Sequence, residues 1–302
     1  MTEMMKLSEK MKTMREEQRY GVKKGEVGLI ALDLDGTTLR KDRSIGERTR
    51  RALQTAAEKG VHVVIATGRS LLSLPQEVLS IKGIEYAITS NGAKIVRLSD
   101  GELLYANCLL PETARKFAVL LEKMPNVVEI FIDGQAYVEK SKFDNLSQYG
   151  ISGASAEYVL TTRKPVEGLF RLMEEHIEEI ENINVRLKAT DDKKNFWERF
   201  SALGGVTITS SFQQNIEIGG ETTSKASAML VLADFLGVAH DRIMACGDGL
   251  NDLAMLQAAG IAVAVQNSVK EVLAAADFVT EDNDHDGVGV AVEQLVLSHF
   301  KS

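Results

Sequence analysis

Proline is scarce in this chain, with 4 in 302 residues, and cysteine is scarcer, with 2. So little proline excludes a proline-rich or fibrous architecture. Cys108 and Cys246 have neither metal-ligand spacing nor the partners of a disulfide framework, which suits a reducing, cytoplasmic compartment. Cys246 lies in an apolar run and reads as a small buried side chain. Basic residues are in deficit: Lys plus Arg total 35 against 43 Asp plus Glu, for a formal charge of -8. That excludes a general nucleic-acid surface, which needs a basic patch. A small anionic partner stays compatible if positive charge is gathered locally. No apolar run reaches the ~18 residues that span a bilayer, and the first residues hold no signal-peptide apolar block, so no membrane partner is expected. The five histidines, His62, His176, His240, His285 and His299, form no triad and no metal spacing.

What is present is ordinary globular material, 44% hydrophobic and 26% charged. The length suits one large or two modest domains. Residues 1–26 are charged and Met-rich and read as a frayed or partly helical N-terminal extension. Residues 27–32 form a short apolar run that ends abruptly in acids, the pattern of a strand buried on both faces. A helix is expected over 48–59, closed by Gly60, then strands at 61–65 and 85–89. This alternation predicts a parallel sheet with helical crossovers, an α/β core of Rossmann-like type with helices on both faces. From about residue 95 the texture changes. A hairpin is expected at 129–138 around Asp133-Gly134, helices at 165–180 and 191–202, a strand at 184–189 and an extended run at 206–218. A second, α+β domain over 95–206 therefore reads as inserted into a core of 27–94 and 207–302. Alternation resumes with a helix at 224–236, a strand at 242–246, a helix at 251–259, a strand at 261–265 and a last short strand at 277–280.

In open parallel sheets, sites form beyond the carboxyl ends of the strands. Four clusters sit there. In Asp33-Leu34-Asp35-Gly36-Thr37 the two acids are two residues apart and can face one site. Carboxylates so close repel unless a cation or a shared proton intervenes, and a hard divalent ion is the natural partner. In Thr67-Gly68-Arg69 a hydroxyl, an unobstructed amide and a positive charge can meet a phosphoryl oxygen. Lys225 falls in the first turn of the helix at 224–236, where the helix dipole disfavours a cation by roughly 0.3–1 kcal/mol and a nearby anion would offset that. Gly219-Gly220 upstream is no P-loop, because no Gly precedes Lys225 and Ala226 stands where Ser or Thr is needed. Gly247-Asp248-Gly249-Leu250-Asn251-Asp252 adds two carboxylates and a side-chain amide on a loop that opens a helix.

Taken in this order, the four clusters resemble the signature of the haloacid dehalogenase-like superfamily, and most closely its Cof-type phosphatases. Ser90-Asn91-Gly92-Ala93, the long segment between the second and third clusters, Ala276-Asp277-Phe278-Val279-Thr280 and Asp286-Gly287-Val288 extend the match. The resemblance covers roughly 27–94 and 207–302, with the inserted segment matching an α/β cap of class IIB in position and length. Thr38 replaces a common Leu, Thr222-Thr223-Ser224 precedes Lys225 in place of a hydrophobic-Ser pair, and Gln266-Asn267-Ser268 replaces a commoner Gly-Asn-Ala. None of these removes a reacting group.

The resemblance implies an Mg²⁺-dependent phosphohydrolase of small phosphorylated metabolites. It implies that Asp33 is the nucleophile and forms an aspartyl-phosphate, and that Asp35 is the acid and base. Mg²⁺ would be held by Asp33, the Asp35 backbone carbonyl and Asp248. Leu34 through its amide, Thr67, Gly68, Arg69, Lys225 and Asn251 would bind the phosphoryl oxygens or the substrate, with Asp252 supporting Lys225 or metal-bound water. A phosphomutase using the same intermediate, or a non-catalytic binding module on the same fold, are the alternatives. The implied partner is a small phosphoester. The sequence carries no signal for an oligomeric state.

Overall fold

Short apolar runs buried on both faces build the central sheet. The computed structural model describes residues 27–300, so the N-terminal extension at 1–26 lies outside the described residues. The sheet contains β1 (Leu29–Leu32), β2 (His62–Ala66), β3 (Ile84–Thr89), β4 (Lys94–Arg97), β5 (Leu103–Ala106), β12 (Ile243–Gly247), β13 (Ile261–Val265) and β14 (Phe278–Thr280), in the order β14-β13-β12-β1-β2-β3-β4-β5. The six strands from β14 to β3 run parallel, β4 pairs antiparallel with β3, and β5 pairs antiparallel with β4. The chain leaves β1 for β2 on one side and returns to β12 on the other, so β1 marks the switch point where ligands bind in such sheets.

Alternate residues of the central strands feed two cores. Ile30, Leu32, Val63 and Ile65 pack against α1 (Glu47–Glu58) and α9 (Gly287–Leu295). Leu29, Ala31, Val64 and Ala66 pack on the other face against α6 (Lys225–Phe235), α7 (Leu253–Ala258) and α8 (Lys270–Ala275). Cys246 is fully buried, as its apolar run implies, and burial pushes its thiol up to about 12.

A second sheet is inserted between β5 and α6. It contains β6 (Val127–Ile132), β7 (Gln135–Glu139), β8 (Arg163–Val166), β9 (Ile180–Arg186), β10 (Val206–Thr209) and β11 (Asn215–Gly220), in the order β10-β11-β9-β6-β7-β8. Its apolar face, with Val128, Ile130, Ile183, Val185, Ile216 and Ile218, packs against α2 (Pro111–Leu121), α4 (Leu169–Glu175) and α5 (Lys193–Ser201). Phe196 and Trp197 pack on this core as helix residues. The expected hairpin forms, with Asp133 and Gly134 both at positive φ, as a two-residue turn between twisted strands requires.

Sheet membership moves two expected limits. Strands β4 and β5 belong to the large sheet, so the first crossing lies after Ala106 and not at 94–95. Strands β10 and β11 belong to the second sheet, so the return lies after Gly220 and not at 206–207. Hairpins attached to a sheet edge read alike in either context, which is why texture alone misplaces them. The two crossings run side by side: Asn107 donates to Thr222 Oγ1 at 3.0 Å, and Thr223 donates to the Asn107 carbonyl at 2.7 Å. The helix expected at 165–180 is a strand, a turn and a shorter helix. Pro165 sits on edge strand β8, where a missing N–H breaks no ladder bond, and Gly168 at φ 78 redirects the chain into α4. Helix α3 (Gly153–Thr162) fills the gap between β7 and β8.

Candidate active site

Three neighbouring strands end together. Leu32 pairs with Ile65 of β2 and with Cys246 of β12, so the residues that follow each strand converge. Asp33, Thr67, Gly68 and Asp248 therefore line one cavity. The turn after β1 is tight: the Leu34 carbonyl accepts the amides of Thr37, Thr38 and Leu39. Gly36 stands at φ 84 there, and a Cβ on it would lie 2.6 Å from Asp248 Oδ2. Thr37 donates to Asp248 Oδ1 at 2.7 Å, which ties the first and fourth clusters together. The Leu34 side chain belongs to the apolar core, so only its backbone can serve the site.

Lys225 opens α6, and Ser224 caps the helix by accepting from the Ser227 amide at 3.0 Å. Its side chain is buried, with Nζ 2.6 Å from Asp33 Oδ1 and 2.7 Å from Asp252 Oδ1. Burial alone would lower the pKa of this ammonium. Asp252 and Asp33 outweigh that and hold it above its usual range. These carboxylates supply the anions that a lysine in a first helical turn calls for. Asp252 is fully engaged, since its Oδ2 also accepts the amides of Asp248 and Gly249 at 3.1 and 2.9 Å.

Carboxylate oxygens of Asp33, Asp248 and Asp252 lie within 4.8 Å of one another. Burial, then Asp252 and Asp248, push Asp33 well above the usual carboxylate range against the pull of Lys225. Burial and Asp252 raise Asp248 to about 6. One ammonium among three carboxylates leaves surplus negative charge. An all-oxygen donor set with such a surplus fits a hard divalent ion such as Mg²⁺. With Asp252 committed to Lys225 and two amides, Asp33 and Asp248 are the carboxylates suited to hold it.

Asp35 lines the same cavity, but its carboxylate is held by a neighbour. It is half-exposed, and Arg69 grips it through Nε at 2.7 Å and Nη2 at 2.6 Å. Arg69 also donates to the Ser73 carbonyl at 3.0 Å. Arg69 thus lines the cavity with its guanidinium already committed to Asp35, where the sequence suggested a group open to a ligand. Thr67 is buried, and its Oγ1 accepts the Arg69 amide at 3.2 Å. A Cβ on Gly68 would lie 3.0 Å from Asn91 Oδ1, so glycine keeps that wall open. Asn251 donates to Asn91 Oδ1 at 3.1 Å.

The cavity measures about 380 Å³ and its far wall is the polar face of the second sheet. Glu129, Asn184 and Glu217 sit side by side across β6, β9 and β11. Glu129 is fully buried and holds Arg163 at 2.8 Å and Arg186 at 2.6 Å. The volume suits a small metabolite.

A model of the haloacid dehalogenase-like hydrolase family matches residues 30–292. The chain belongs to this family. This haloacid dehalogenase-like chain is 29% identical over 274 residues to the 5-amino-6-(5-phospho-D-ribitylamino)uracil phosphatase YcsE of Bacillus subtilis, covering 90% of this chain and 97% of that one. It superposes on a haloacid dehalogenase-like hydrolase from B. subtilis with a TM-score of 0.77 at 28% identity, covering 89% of this chain and all of the other. A subclass IIB sugar phosphatase shares the fold at a TM-score of 0.74 and 22% identity. The Cof-type resemblance holds, and the chain is a phosphatase of this family.

Several cavity residues of this hydrolase escape the sequence motifs: Tyr158, Arg163, Arg186 and Glu217. The histidines stay out of the site, with His176, His240 and His285 paired to surface carboxylates. Among the described residues no helix is long and apolar enough to cross a membrane.

The buried Glu129 cluster has a pH signature. Burial alone would raise Glu129, but Arg163 and Arg186 outweigh it and bring the carboxyl to about 2, from 4.5. Its folded pKa is depressed, so its contribution is complete above about 4.5 and lost as pH falls toward 2, about 3 kcal/mol in all. Urea unfolding at pH 5 and pH 3 should show this loss in the wild type. In Glu129→Gln the acid-dependent part should shrink, and an unchanged acid slope would rule out an ionised Glu129.

Proposed function

We propose that this phosphatase hydrolyses small phosphorylated metabolites with Mg²⁺, through a phosphoryl intermediate on Asp33. The observation that carries the reading is the buried Asp33 carboxylate at the switch point, with Lys225 on one oxygen and Asp248 beside it. Asp33 attacks phosphorus in line, and the bond to the leaving oxygen breaks as Asp35 gives that oxygen its proton. Asp35 then takes a proton from the water that attacks the same phosphorus. The bond between phosphorus and the Asp33 oxygen breaks, which frees phosphate and restores the carboxylate. Asp35 must exchange Arg69 for the leaving oxygen to do this, since Arg69 holds it in the present arrangement.

Lys225, Thr67, Asn251 and the Gly68 and Leu34 amides are suited to hold the transferring oxygens. Mg²⁺, held by Asp33, Asp248 and the Asp35 carbonyl, would offset charge between the nucleophile and the phosphoryl group. The inserted sheet acts as a cap that closes over the site and excludes water. The setting is cytoplasmic.

A phosphate-release panel of sugar phosphates, nucleotides and pyridoxal phosphate, with Mg²⁺ and with chelator, tests this. Release only with the metal is expected. Return of the phosphoryl group to sugar in place of free phosphate would point to a mutase. Asp35→Asn should slow turnover by about 10²–10⁴-fold while Mg²⁺ affinity by calorimetry stays unchanged, because the proposed ligand is the backbone carbonyl. Loss of metal binding in that variant would contradict the assignment.

A further inference from the structure

The far wall of the cavity carries a charge arrangement that phosphoryl transfer does not require. Arg163 and Arg186 are both buried, at 7% and 6% exposure, and both line the cavity. A single carboxylate, Glu129, serves them both. Aromatic rings fix them: Arg163 lies 4.6 Å from the Tyr158 ring and 5.4 Å from Phe131, and Arg186 lies 5.1 Å from Phe212. Guanidiniums occupy these ring faces, so the rings position the cations and do not form an open platform for a flat base.

The remaining acid on this wall is Glu217. It is 5% exposed, and its Oε2 has no hydrogen-bond partner among the described residues. Burial raises its pKa, which lowers the negative charge it can offer the arginines. Two guanidiniums against one fully ionised carboxylate leave about one unit of positive charge in a buried wall, a costly state unless an anion meets it. The orphan Glu217 oxygen is suited to a hydrogen-bond donor on the same ligand.

We propose that Arg163 and Arg186 bind a second acidic group of the substrate, so that the preferred substrates are phosphomonoesters bearing a further phosphate or carboxylate. This rests on the reading of the chain as a phosphatase whose chemistry is at Asp33. The scissile phosphate lies at the Asp33 end, the second acid at the arginine wall, and a hydroxylated body between them reaches Glu217. A planar guanidinium pairs bidentately with either acid, so the geometry is common to both.

Matched pairs test this: hexose monophosphate against hexose bisphosphate, and glycerol phosphate against phosphoglycerate. With Mg²⁺, kcat/KM should be higher by about tenfold or more for the second member of at least one pair. The bisphosphate and carboxylate arms tell which acid is taken. Arg186→Gln and Arg163→Gln each leave Glu129 one arginine partner and should stay folded by circular dichroism. Each should raise KM for the doubly acidic substrate by about tenfold or more over any rise for the simple monoester, with the loss falling on KM and not on kcat. Equal kcat/KM within both pairs would overturn the proposal and leave the phosphatase reading standing. If no pair releases phosphate, that reading fails instead. Calorimetry on Asp33→Asn then decides the inference alone: tighter binding of the doubly acidic ligands, lost in Arg186→Gln, supports it, and equal binding overturns it.

Discussion

Asp33→Asn is expected to cut phosphate release by on the order of 10⁴-fold or more, and to abolish any phosphoryl-enzyme species. The amide occupies the same volume but cannot attack phosphorus. Folding should survive, for a specific reason. Asp33 is held well above the usual carboxylate range by burial and by Asp252 and Asp248, so a neutral side chain relieves repulsion in the metal-free protein. Thermal unfolding without Mg²⁺ should therefore show Asp33→Asn as stable as the wild type or more so. Any stabilisation of the wild type by Mg²⁺ should shrink in the variant, because one of the two carboxylates proposed to hold the ion is gone. Wild-type turnover in Asp33→Asn would remove the nucleophile from the account.

The second large effect is expected at Lys225. Lys225→Met takes away the cation between Asp33 and Asp252, two carboxylates buried within 2.7 Å of its ammonium. Breaking a buried ion pair from one side typically costs roughly 3–5 kcal/mol, because the partner charge is left without compensation. Activity should fall as well, by about 10²-fold or more, if the ammonium faces the transferring phosphoryl group. A double variant separates the two effects. Adding Asp252→Asn to Lys225→Met removes one of the stranded charges, so urea unfolding should recover part of the stability while turnover stays low. A Lys225→Met chain as stable as the wild type would mean that Lys225 is not ionised in its bracket.

The large sheet was legible because its evidence is local. The buried strands β1, β2 and β12 announce themselves as short apolar runs, and each ends in a cluster of Asp, Thr or Gly that the parallel topology then brings together. Asp33, Thr67, Gly68, Asp248, Asn251 and Lys225 were all accessible in this way, and the fold places them around one cavity or directly behind it. Lys225 is buried between two acids, which helical spacing alone could only suggest. Asp33 and Asp35 share one cavity, as their spacing implies. The Arg69 grip on Asp35 was not legible, because only the pairing of β1 with β2 brings the loop that carries Arg69 beside the turn that carries Asp35.

The cap wall was illegible for another reason. Asn182, Asn184 and Arg186 alternate with Ile183 and Val185, as Asn215 and Glu217 alternate with Ile216 and Ile218. Such alternation ordinarily means one face on a core and the other in water. Here the polar face is also buried, because it closes on the ends of the large sheet. Arg163, Arg186 and Glu129 come from strands far apart in sequence, and only the register across β6, β7, β8 and β9 joins them. An excess of Asn, Arg and Glu on one strand face was the available signal, and it could not be told from a solvated surface without the sheet opposite.

The most direct measurement of the central claim is chemical trapping of the phosphorylated residue. The wild type is mixed with a substrate and Mg²⁺, acid-quenched within a turnover, reduced with borohydride and mapped by mass spectrometry. An acyl phosphate on Asp33 would be converted to homoserine at position 33 and nowhere else, and Asp33→Asn would give no such product. Homoserine at position 35 or 248, or none at all during active turnover, would contradict Asp33 as the nucleophile.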